Sequence, residues 1–181
     1  MTLDGEDADG VGVGSARSGA DLYDEHGDDL QSCTTQFRLF GARTSFEGAV
    51  TTVRCHDDNV ILKATLGDPG AGRVLVVDGG GSPTTALMGD LIAGMAASNG
   101  WEGVIIHGAV RDVEALSKIN IGIKALSSNP RKSRKDGAGE KDVEVSFGEV
   151  TFTPGCHLYS DADGILVTRE TGSAATVQRS L

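Results

Sequence analysis

The sequence predicts a mixed α/β domain whose C-terminal third is rich in β-strands. Two continuous apolar runs, 73–77 and 103–107, are each followed by a helical pattern, which is typical of strands buried in a parallel sheet. After residue 120 the pattern changes to short apolar segments separated by turn residues. Glycine provides 26 of the 181 residues, well above the usual ~7%, and this share indicates many tight turns.

The composition is that of a folded protein without a membrane anchor. Apolar residues make up 39% of the chain and charged residues 23%, so a buried core is expected. No apolar run approaches the ~18 residues of a transmembrane helix, and the acidic N-terminus does not resemble a signal peptide. Three cysteines without a close pair (Cys33, Cys55 and Cys156) predict buried, reduced thiols in a cytoplasmic protein, and not a disulfide framework or a zinc ribbon.

The negative charge is concentrated at the N-terminus. The net charge is -10, and residues 1–29 hold nine acidic side chains and one basic side chain, so the remaining chain is close to neutral. We predict a disordered acidic tail over 1–19 that aids solubility. A single domain is expected over 20–169, followed by a C-terminal tail over 170–181.

The first elements follow from local signals. We predict a short helix over 20–30 and a Val- and Thr-rich strand over 46–55. Asn59 can cap a second helix, VILKATL, over 60–66, which stops at the Gly-Asp-Pro-Gly turn 67–70.

The centre of the chain predicts two parallel strands with a helix between them. The strand 73–77 leads through a glycine-rich loop to a helix with Leu87, Leu91 and Met95 on one face. That helix stops at Asn-Gly 99–100. The strand 103–107, a loop over 108–112 and a short helix over 113–119 complete a crossover unit. The remaining predicted strands are 122–127, 143–147, 149–153 and 164–168, with turns at 153–155 and 161–164.

The loop 78–83 has the position of a phosphate-binding loop, after a strand and before a helix. Its residues do not match the known fingerprints. A dinucleotide fingerprint fails at Thr84, a methyltransferase loop fails at Ser82 and Thr84, and the P-loop lysine is missing. We interpret the glycines as allowing the backbone to pass close to another surface or to a small anion.

Three polar residues are expected at one edge of the sheet. Asp90 follows the first buried strand and its loop, and Arg111 and Asp112 follow the second. Ligands bind outside the carboxyl ends of parallel strands. The group is either a structural salt bridge or a site for Mg²⁺ or Mn²⁺, in which the arginine stabilises an oxyanion. His107 ends the second strand and is a candidate for the lining of the same pocket.

The most basic stretch, 131–135, has four positive charges in five residues. It can contact nucleic-acid phosphates, or it can be a solvated loop. Because no aromatic residue interrupts it, base stacking is not available there, and we expect no direct binding of nucleic acid.

Three segments together resemble a known family. GRVLVVDGGGS (72–82), MGDLIAGMAASNGWEGVIIHGAVRDV (88–113) and FGEVTFTPGCHLYSDADGILV (147–167) closely resemble the regulator of ribonuclease activity A family. That family also contains 4-hydroxy-4-methyl-2-oxoglutarate aldolases. The most specific feature is the spacing between Asp90 and the pair Arg111-Asp112, and the resemblance runs over 20–169.

The resemblance implies a fold, an assembly and a site. The fold is a β/β/α swivelling-type, phosphohistidine-domain-like α/β fold, assembled as a homotrimer that is sometimes doubled to a hexamer. The implied cofactor is Mg²⁺ or Mn²⁺, bound by Asp112 directly and by Asp90 through a water. Arg111 would contact the keto oxygen of a 2-keto acid, and the N–H groups of Gly89, Asp90, Leu91 and Ile92 would take its carboxylate. The last role agrees with the anion preference of helix N-termini.

The implied activities are aldol cleavage to pyruvate and decarboxylation of oxaloacetate through a shared pyruvate enolate. The alternative is a protein-binding regulator that inhibits ribonuclease E-type enzymes. Some members carry a demethylmenaquinone methyltransferase label, against which the broken glycine loop argues. Where the family usually has an acid three residues after the metal-binding aspartate, this chain has Ala115, with Glu114 one place earlier; its tail offers only Glu170. These departures favour decarboxylation over cleavage of large substrates.

Overall fold

One large mixed β-sheet organises the residues that the computed structural model describes, 17–172. The predicted acidic tail before residue 17 and most of the predicted C-terminal tail lie outside the described residues. The centre of the sheet is parallel, as the sequence predicts, and its four strands are β3 (Phe46–Arg54), β4 (Val74–Asp78), β6 (Gly103–Val110) and β7 (Gly122–Ser128).

Shorter strands extend the sheet on both sides. The strand order is β1-β12-β11-β3-β4-β6-β7-β2, with β5 added to β6 and β8 added to β3. A separate antiparallel hairpin forms from β9 and β10. The strands outside the parallel centre are β1 (Leu30–Ser32), β2 (Arg38–Leu39), β5 (Ala86–Met88), β8 (Glu140–Lys141), β9 (Val145–Phe147), β10 (Val150–Phe152), β11 (His157–Ser160) and β12 (Ile165–Thr168).

The central strands bury both faces, which explains their continuous apolar sequence. In β4, Leu75 and Val77 pack in the core on the helix side, and Val74 and Val76 pack in the core under the hairpin. The helices are α1 (Gly19–His26), α2 (Val60–Gly67), α3 (Asp90–Ser98) and α4 (Val113–Leu116). Since α2 and α3 cover one face and the hairpin covers the other, the layers are hairpin, sheet and helices. The predicted mixed α/β class is confirmed.

Two predicted helices are too long. The first begins at Gly19 because Ser18 forms a capping box with Asp21. It ends at His26, and after one 3₁₀ turn Leu30 already belongs to β1. The helix predicted over 113–119 has only the four residues of α4.

The helix face predicted from Leu87, Leu91 and Met95 is wrong. Leu87 lies in β5, which pairs with β6, and the helix begins only at Asp90. Leu91 is 84% exposed and does not pack in the core. The helical spacing of the three residues is therefore a coincidence between a strand residue and two helix residues. Pairing of a three-residue strand with a neighbour is a tertiary effect that helical spacing does not reveal.

The side chain predicted to cap α2, that of Asn59, does not do so. The helix starts where predicted, but the Asn59 amide donates to the Leu87 carbonyl oxygen, at 3.2 Å. The neighbouring Asp58 carboxylate accepts from the Val60 N–H, at 3.1 Å. In the C-terminal third the four predicted strands exist, with ends shifted by up to two residues. The strands β8 and β11 were missed, because neither EK nor HLYS has a clear alternation.

The cysteines are as predicted: all three are buried and free. Burial, with smaller contributions from Asp58 and Asp78, raises the pKa of the Cys55 thiol to about 12. Within 17–172, none of the helices has the length and apolar character needed to cross a membrane.

Candidate functional site

A cavity of about 760 Å³ lies where the carboxyl ends of β5 and β6 meet the N-terminus of α3. Its position agrees with the rule for ligands of parallel sheets. The three residues singled out from the sequence all line it, together with apolar residues and three lysines. The lining residues are Asn59, Val60, Lys63, Ala64, Ala86, Met88, Gly89, Asp90, Leu91, Ile92, Met95, Arg111, Asp112, Lys132, Ser133 and Lys135.

The Asp112 carboxylate connects the polar groups of the site. Its Oδ2 atom lies 3.6 Å from Arg111 Nε and accepts a hydrogen bond from the Asp90 N–H at 3.3 Å. The side chains of Arg111 and Asp112 are about one third exposed, at 33% and 39%. A guanidinium and two carboxylates therefore lie together at a surface that a solute can reach.

The backbone after β6 sets this geometry. The Arg111 N–H donates to the Met88 carbonyl oxygen at 2.9 Å, which ties the end of β6 to β5. Asp112 then adopts the left-handed conformation, with φ 58° and ψ 42°, and precedes α4. A non-glycine residue in this region costs on the order of 1 kcal/mol or more, and such strain is frequent at functional sites.

Gly89 is required by the close approach of Asp112. It precedes α3 and is not inside that helix. A Cβ atom at this position would lie 2.4 Å from Asp112 Oδ2 and 3.2 Å from Arg111 Cγ. Both distances are shorter than ordinary carbon contacts, which begin near ~3.5 Å. Only glycine allows the carboxylate to reach the first turn of α3 in this way.

The first turn of α3 is partly satisfied from within the chain. The Asp90 N–H donates to Asp112, and the Leu91 N–H donates to Asp90 Oδ1 at 2.8 Å. Among residues 17–172, the N–H groups of Gly89 and Ile92 have no acceptor. The resemblance implies four N–H groups as substrate ligands. Two of them, those of Asp90 and Leu91, already donate to carboxylates of the site, and two, those of Gly89 and Ile92, remain for a ligand.

The donor set fits a hard divalent cation. Two carboxylates that face a hydrated cavity suit Mg²⁺ or Mn²⁺, which bind one or two protein carboxylates and keep several waters. In the described part of the chain, no three His, Cys, Asp or Glu side chains come together as a metal-binding group. A zinc site, which usually has three or four protein ligands that include histidine or cysteine, is therefore a poor description of this cavity.

The basic stretch 131–135 lies along the cavity. Its two interpretations from the sequence, contact with nucleic-acid phosphates and a solvated loop, did not place it there. The Ala86 N–H donates to the Arg131 carbonyl oxygen at 2.8 Å, and the Arg134 N–H donates to the Asp57 carbonyl oxygen at 2.7 Å. Ser133 is buried, while Lys132 and Lys135 line the cavity with Lys63. With Arg111 they give four cationic side chains against two carboxylates, so the cavity favours an anion.

Asp58 fixes that basic segment and was missed in the sequence. Its Oδ2 accepts from the N–H groups of Asp136, at 2.6 Å, and Gly137, at 3.0 Å, and its side chain is fully buried. Burial alone would raise its pKa, but the backbone hydrogen bonds outweigh burial and lower it. The available signal was an aspartate pair in the loop after a strand, but nothing in the local sequence shows which N–H groups Asp58 binds.

The glycine-rich loop packs against β6. The N–H groups of Gly79 and Gly81 donate to the His107 carbonyl oxygen at 3.1 and 3.0 Å, and the Gly80 N–H donates to Asp78 Oδ1 at 2.9 Å. The loop therefore passes close to another part of the backbone, as one of our two interpretations states. The His107 ring stacks on Phe147 with 4.5 Å between centroids, so His107, contrary to expectation, does not belong to the described lining of the cavity.

Glu114 and Glu170, the acidic residues nearest to the positions where the family has further acids, are also outside that lining. The Glu114 side chain is 94% exposed and lies 3.9 Å from Lys118, and Glu170 is exposed at the end of the described chain. The described residues thus supply Asp90 and Asp112 as the carboxylates of this cavity.

Comparisons with known proteins place the chain in a family. A family model described as RraA-like, Aldolase/RraA, matches residues 19–167. A structure from Geobacillus kaustophilus HTA426, described as an S-adenosylmethionine:2-dimethylmenaquinone methyltransferase, is similar with 41% identity and a TM-score of 0.84. That similarity covers 87% of this chain and 98% of the other.

Two similar structures are described as regulators of RNA processing. The RNA-processing inhibitor RraA from Thermus thermophilis has 43% identity and a TM-score of 0.83, over 88% of this chain and 96% of its own. RraAS2 of Streptomyces coelicolor, described as an unusual member of the RNase ES inhibitor RraA family, has 23% identity and a TM-score of 0.67. It covers 81% of this chain and 76% of its own, which supports the fold alone. On the match over 19–167 and these identities, the chain belongs to the RraA-like family.

Proposed function

We propose that this protein is a divalent-metal-dependent carbon–carbon lyase that releases pyruvate from small 2-keto acids. The reactions are decarboxylation of oxaloacetate and cleavage of 4-hydroxy-4-methyl-2-oxoglutarate. The observation that supports this proposal most strongly is the contact of Asp112 with both Arg111 and the first turn of α3 in a cavity rich in cations. An arginine beside two carboxylates and an anion-binding helix start suits a 2-keto acid that develops negative charge.

The substrate carboxylate binds to the N–H groups of Gly89 and Ile92, where the helix start favours negative charge. Its second anionic group faces the lysines of the rim, Lys132 and Lys135 among them. In this orientation the keto oxygen lies toward the Arg111 guanidinium. These two contacts fix the position of the scissile carbon–carbon bond with respect to Arg111.

Asp112 and Asp90 are the residues that would hold the cation, Asp112 directly and Asp90 through a water. When bound, Mg²⁺ or Mn²⁺ supplies positive charge that favours the enolate. Arg111 contributes a positive charge at the keto oxygen, and hydrogen bonds from its guanidinium strengthen as negative charge develops there.

Asp90 also orients the water that transfers the proton in each reaction. Its Oδ1 atom is occupied by the Leu91 N–H, which leaves Oδ2 to orient a water in the cavity. In the aldol cleavage that water takes the proton from the substrate hydroxyl as the C3–C4 bond breaks, and a proton then returns to the enolate carbon to give pyruvate. In the decarboxylation the bond to CO₂ breaks, and the water donates a proton to the same enolate carbon. One arrangement of residues therefore serves both reactions.

The test is pyruvate release from each substrate with Mg²⁺, with EDTA, and with Arg111→Ala. A matched control is Lys118→Ala, which removes an exposed cation outside the cavity. We expect metal-dependent turnover that Arg111→Ala lowers by about 10²–10³ and that Lys118→Ala leaves unchanged. Equal turnover by Arg111→Ala and the parent protein would refute the proposal.

A second function is supported by the similarity to the Thermus inhibitor of RNA processing. We propose that the protein also binds and inhibits a ribonuclease E-type enzyme, as a homotrimer. Cleavage of a standard RNA by purified ribonuclease E, with increasing amounts of this protein, tests that activity directly. If inhibition occurs, Arg111→Ala shows whether it uses the same cavity, and absence of inhibition at low salt would contradict this second proposal.

A further inference from the structure

A second cavity lies at the opposite end of the parallel strands. Its volume is about 550 Å³, and it lies beside Phe46, the first residue of β3, and Glu102, which precedes β6. Over residues 17–172 its lining shares no residue with the cavity around Asp90 and Arg111. Its volume is in the range of about 300–1,000 Å³ that small-molecule sites occupy.

The interior of this cavity is largely apolar. Leu22 of α1 packs with Leu30, Tyr159 and Leu166 in a small core of its own, and Leu22, Phe46 and Leu166 line the space. The start of α1 is held at the mouth by the Gly19 N–H, which donates to Asp161 Oδ2 at 2.6 Å. An apolar group of a ligand would thus lie between α1 and the ends of the strands.

Two buried hydroxyls in the lining lack hydrogen bonds. Tyr159 is 9% exposed and Ser160 is 4% exposed, and neither Tyr159 Oη nor Ser160 Oγ has a partner among the described residues. Native proteins rarely leave such groups unpaired, and each case calls for an explanation. Burial, with a smaller effect of Glu47, raises the pKa of Tyr159 to about 12, so its hydroxyl keeps its proton and can donate.

The charge of the lining is negative. Among residues 17–172 it contains four carboxylates and one guanidinium, and that guanidinium, Arg17, is paired with Glu25 outside the lining. Two of the carboxylates have partners at the rim: the Arg43 guanidinium lies beside Glu102, and the Nε2 atom of His157 lies 3.1 Å from Glu47. A ligand with a positive group is favoured here and an anion is not, the reverse of the cavity at the other end. The four carboxylates are Glu47, Glu102, Asp161 and Asp163.

We propose that this second cavity is a binding site for an amphipathic organic amine. Its apolar body contacts Leu22 and Leu166, and a polar group meets the unpaired hydroxyl of Tyr159, which belongs to the same small core. Ser160, as the next residue of β11, points to the other face of the sheet and is not part of this contact. The ammonium faces the carboxylates of the rim.

Three indole probes of nearly equal shape test the charge assignment. Tryptamine is a cation at pH 7, tryptophol is neutral, and indole-3-propionate is an anion. We expect saturable binding of tryptamine by isothermal titration calorimetry, binding of tryptophol about two- to fivefold weaker because one exposed ion pair is lost, and no binding of indole-3-propionate. Equal or tighter binding of the anion, or no binding of any probe at millimolar concentration, would overturn the proposal.

Variants then locate the binding. Tyr159→Phe removes only the unpaired hydroxyl. It should weaken tryptamine binding about two- to tenfold, because the indole N–H loses Tyr159 Oη as its acceptor, without lowering the melting temperature. Glu47→Gln should also weaken tryptamine but not tryptophol. Glu140→Gln, an exposed acid of β8 outside both linings, is the control and should bind tryptamine normally. Binding that is unchanged in Tyr159→Phe and in Glu47→Gln would place the amine elsewhere and refute the site.

This inference is independent of the proposed lyase. Arg111→Ala should bind tryptamine with the affinity of the parent protein, because Arg111 lines only the other cavity. Loss of tryptamine binding in Arg111→Ala would show that the amine occupies the lyase cavity and would contradict the assignment.

Discussion

Gly89 offers a way to disturb the site without removing any of its functional groups. A Cβ atom at this position would lie 2.4 Å from Asp112 Oδ2, where an ordinary contact is ~3.5 Å. In Gly89→Ala the carboxylate must therefore move by about 1 Å, away from Arg111 or away from the first turn of α3. A displacement of ~1 Å at a reacting centre can cost about 10²-fold in rate.

The fold should tolerate this change. The Gly89 backbone has φ -130° and ψ -164°, which any residue adopts, and the nearest contact is the mobile end of a side chain. We expect Gly89→Ala to lose about 10²-fold in kcat/KM for oxaloacetate, which equals ~2.7 kcal/mol, with a melting temperature close to that of the parent protein.

Gly94→Ala is the matched control. Gly94 lies inside α3, and a Cβ atom there meets nothing within 4 Å. Alanine in place of a helical glycine should stabilise the protein by about 0.8–1 kcal/mol and leave kcat/KM unchanged. Steady-state kinetics and thermal unfolding of both variants give the comparison; full activity in Gly89→Ala would refute the argument that the position of Asp112 matters.

Three further predictions concern other parts of the structure. Asp58→Asn should lower the free energy of unfolding by about 2 kcal/mol, since charge-assisted hydrogen bonds are lost. Because its folded pKa is lowered, the stability that Asp58 provides is present above its ordinary pKa of 3.8 and is lost as the pH falls through the folded value; chemical denaturation between pH 6 and about pH 3 should show this dependence weakened in Asp58→Asn. Asp112→Asn should weaken Mg²⁺ binding in calorimetry at least tenfold, and an unchanged affinity would remove Asp112 from the metal site. Replacing Lys132 and Lys135 by Ala should raise KM for a dianionic keto acid more than kcat falls, and a pure kcat effect would contradict their role in binding.

Much of the central fold can be predicted from the sequence because the relevant signals are local. The apolar runs of β4 and β6 need burial on both faces, and the parallel order then brings Asp90 and Arg111 to one edge. The same logic cannot place Lys132 and Lys135. Their segment is held at the cavity by hydrogen bonds to Ala86, Asp57 and Asp58, all distant in sequence. Contacts between segments some 80 residues apart produce no periodic pattern in the sequence, so they cannot be predicted from it.

The errors have a common physical origin. Leu87 and Leu91 have helical spacing but belong to a strand and to a helix start, because pairing with β6 decides the conformation of 86–88. The sequence marks Gly89 only as an N–H donor, and the close approach of Asp112, which requires a glycine there, is visible only in the folded chain. In each case a tertiary contact, and not local propensity, determines the residue.

Pyruvate release from oxaloacetate by the parent protein and by Arg111→Ala, each with Mg²⁺ and with EDTA, tests the central claim most directly. The account predicts turnover that requires the metal and falls by about 10²–10³ in the variant. Turnover equal to the background rate of Mg²⁺ alone, or activity that Arg111→Ala leaves intact, would contradict it.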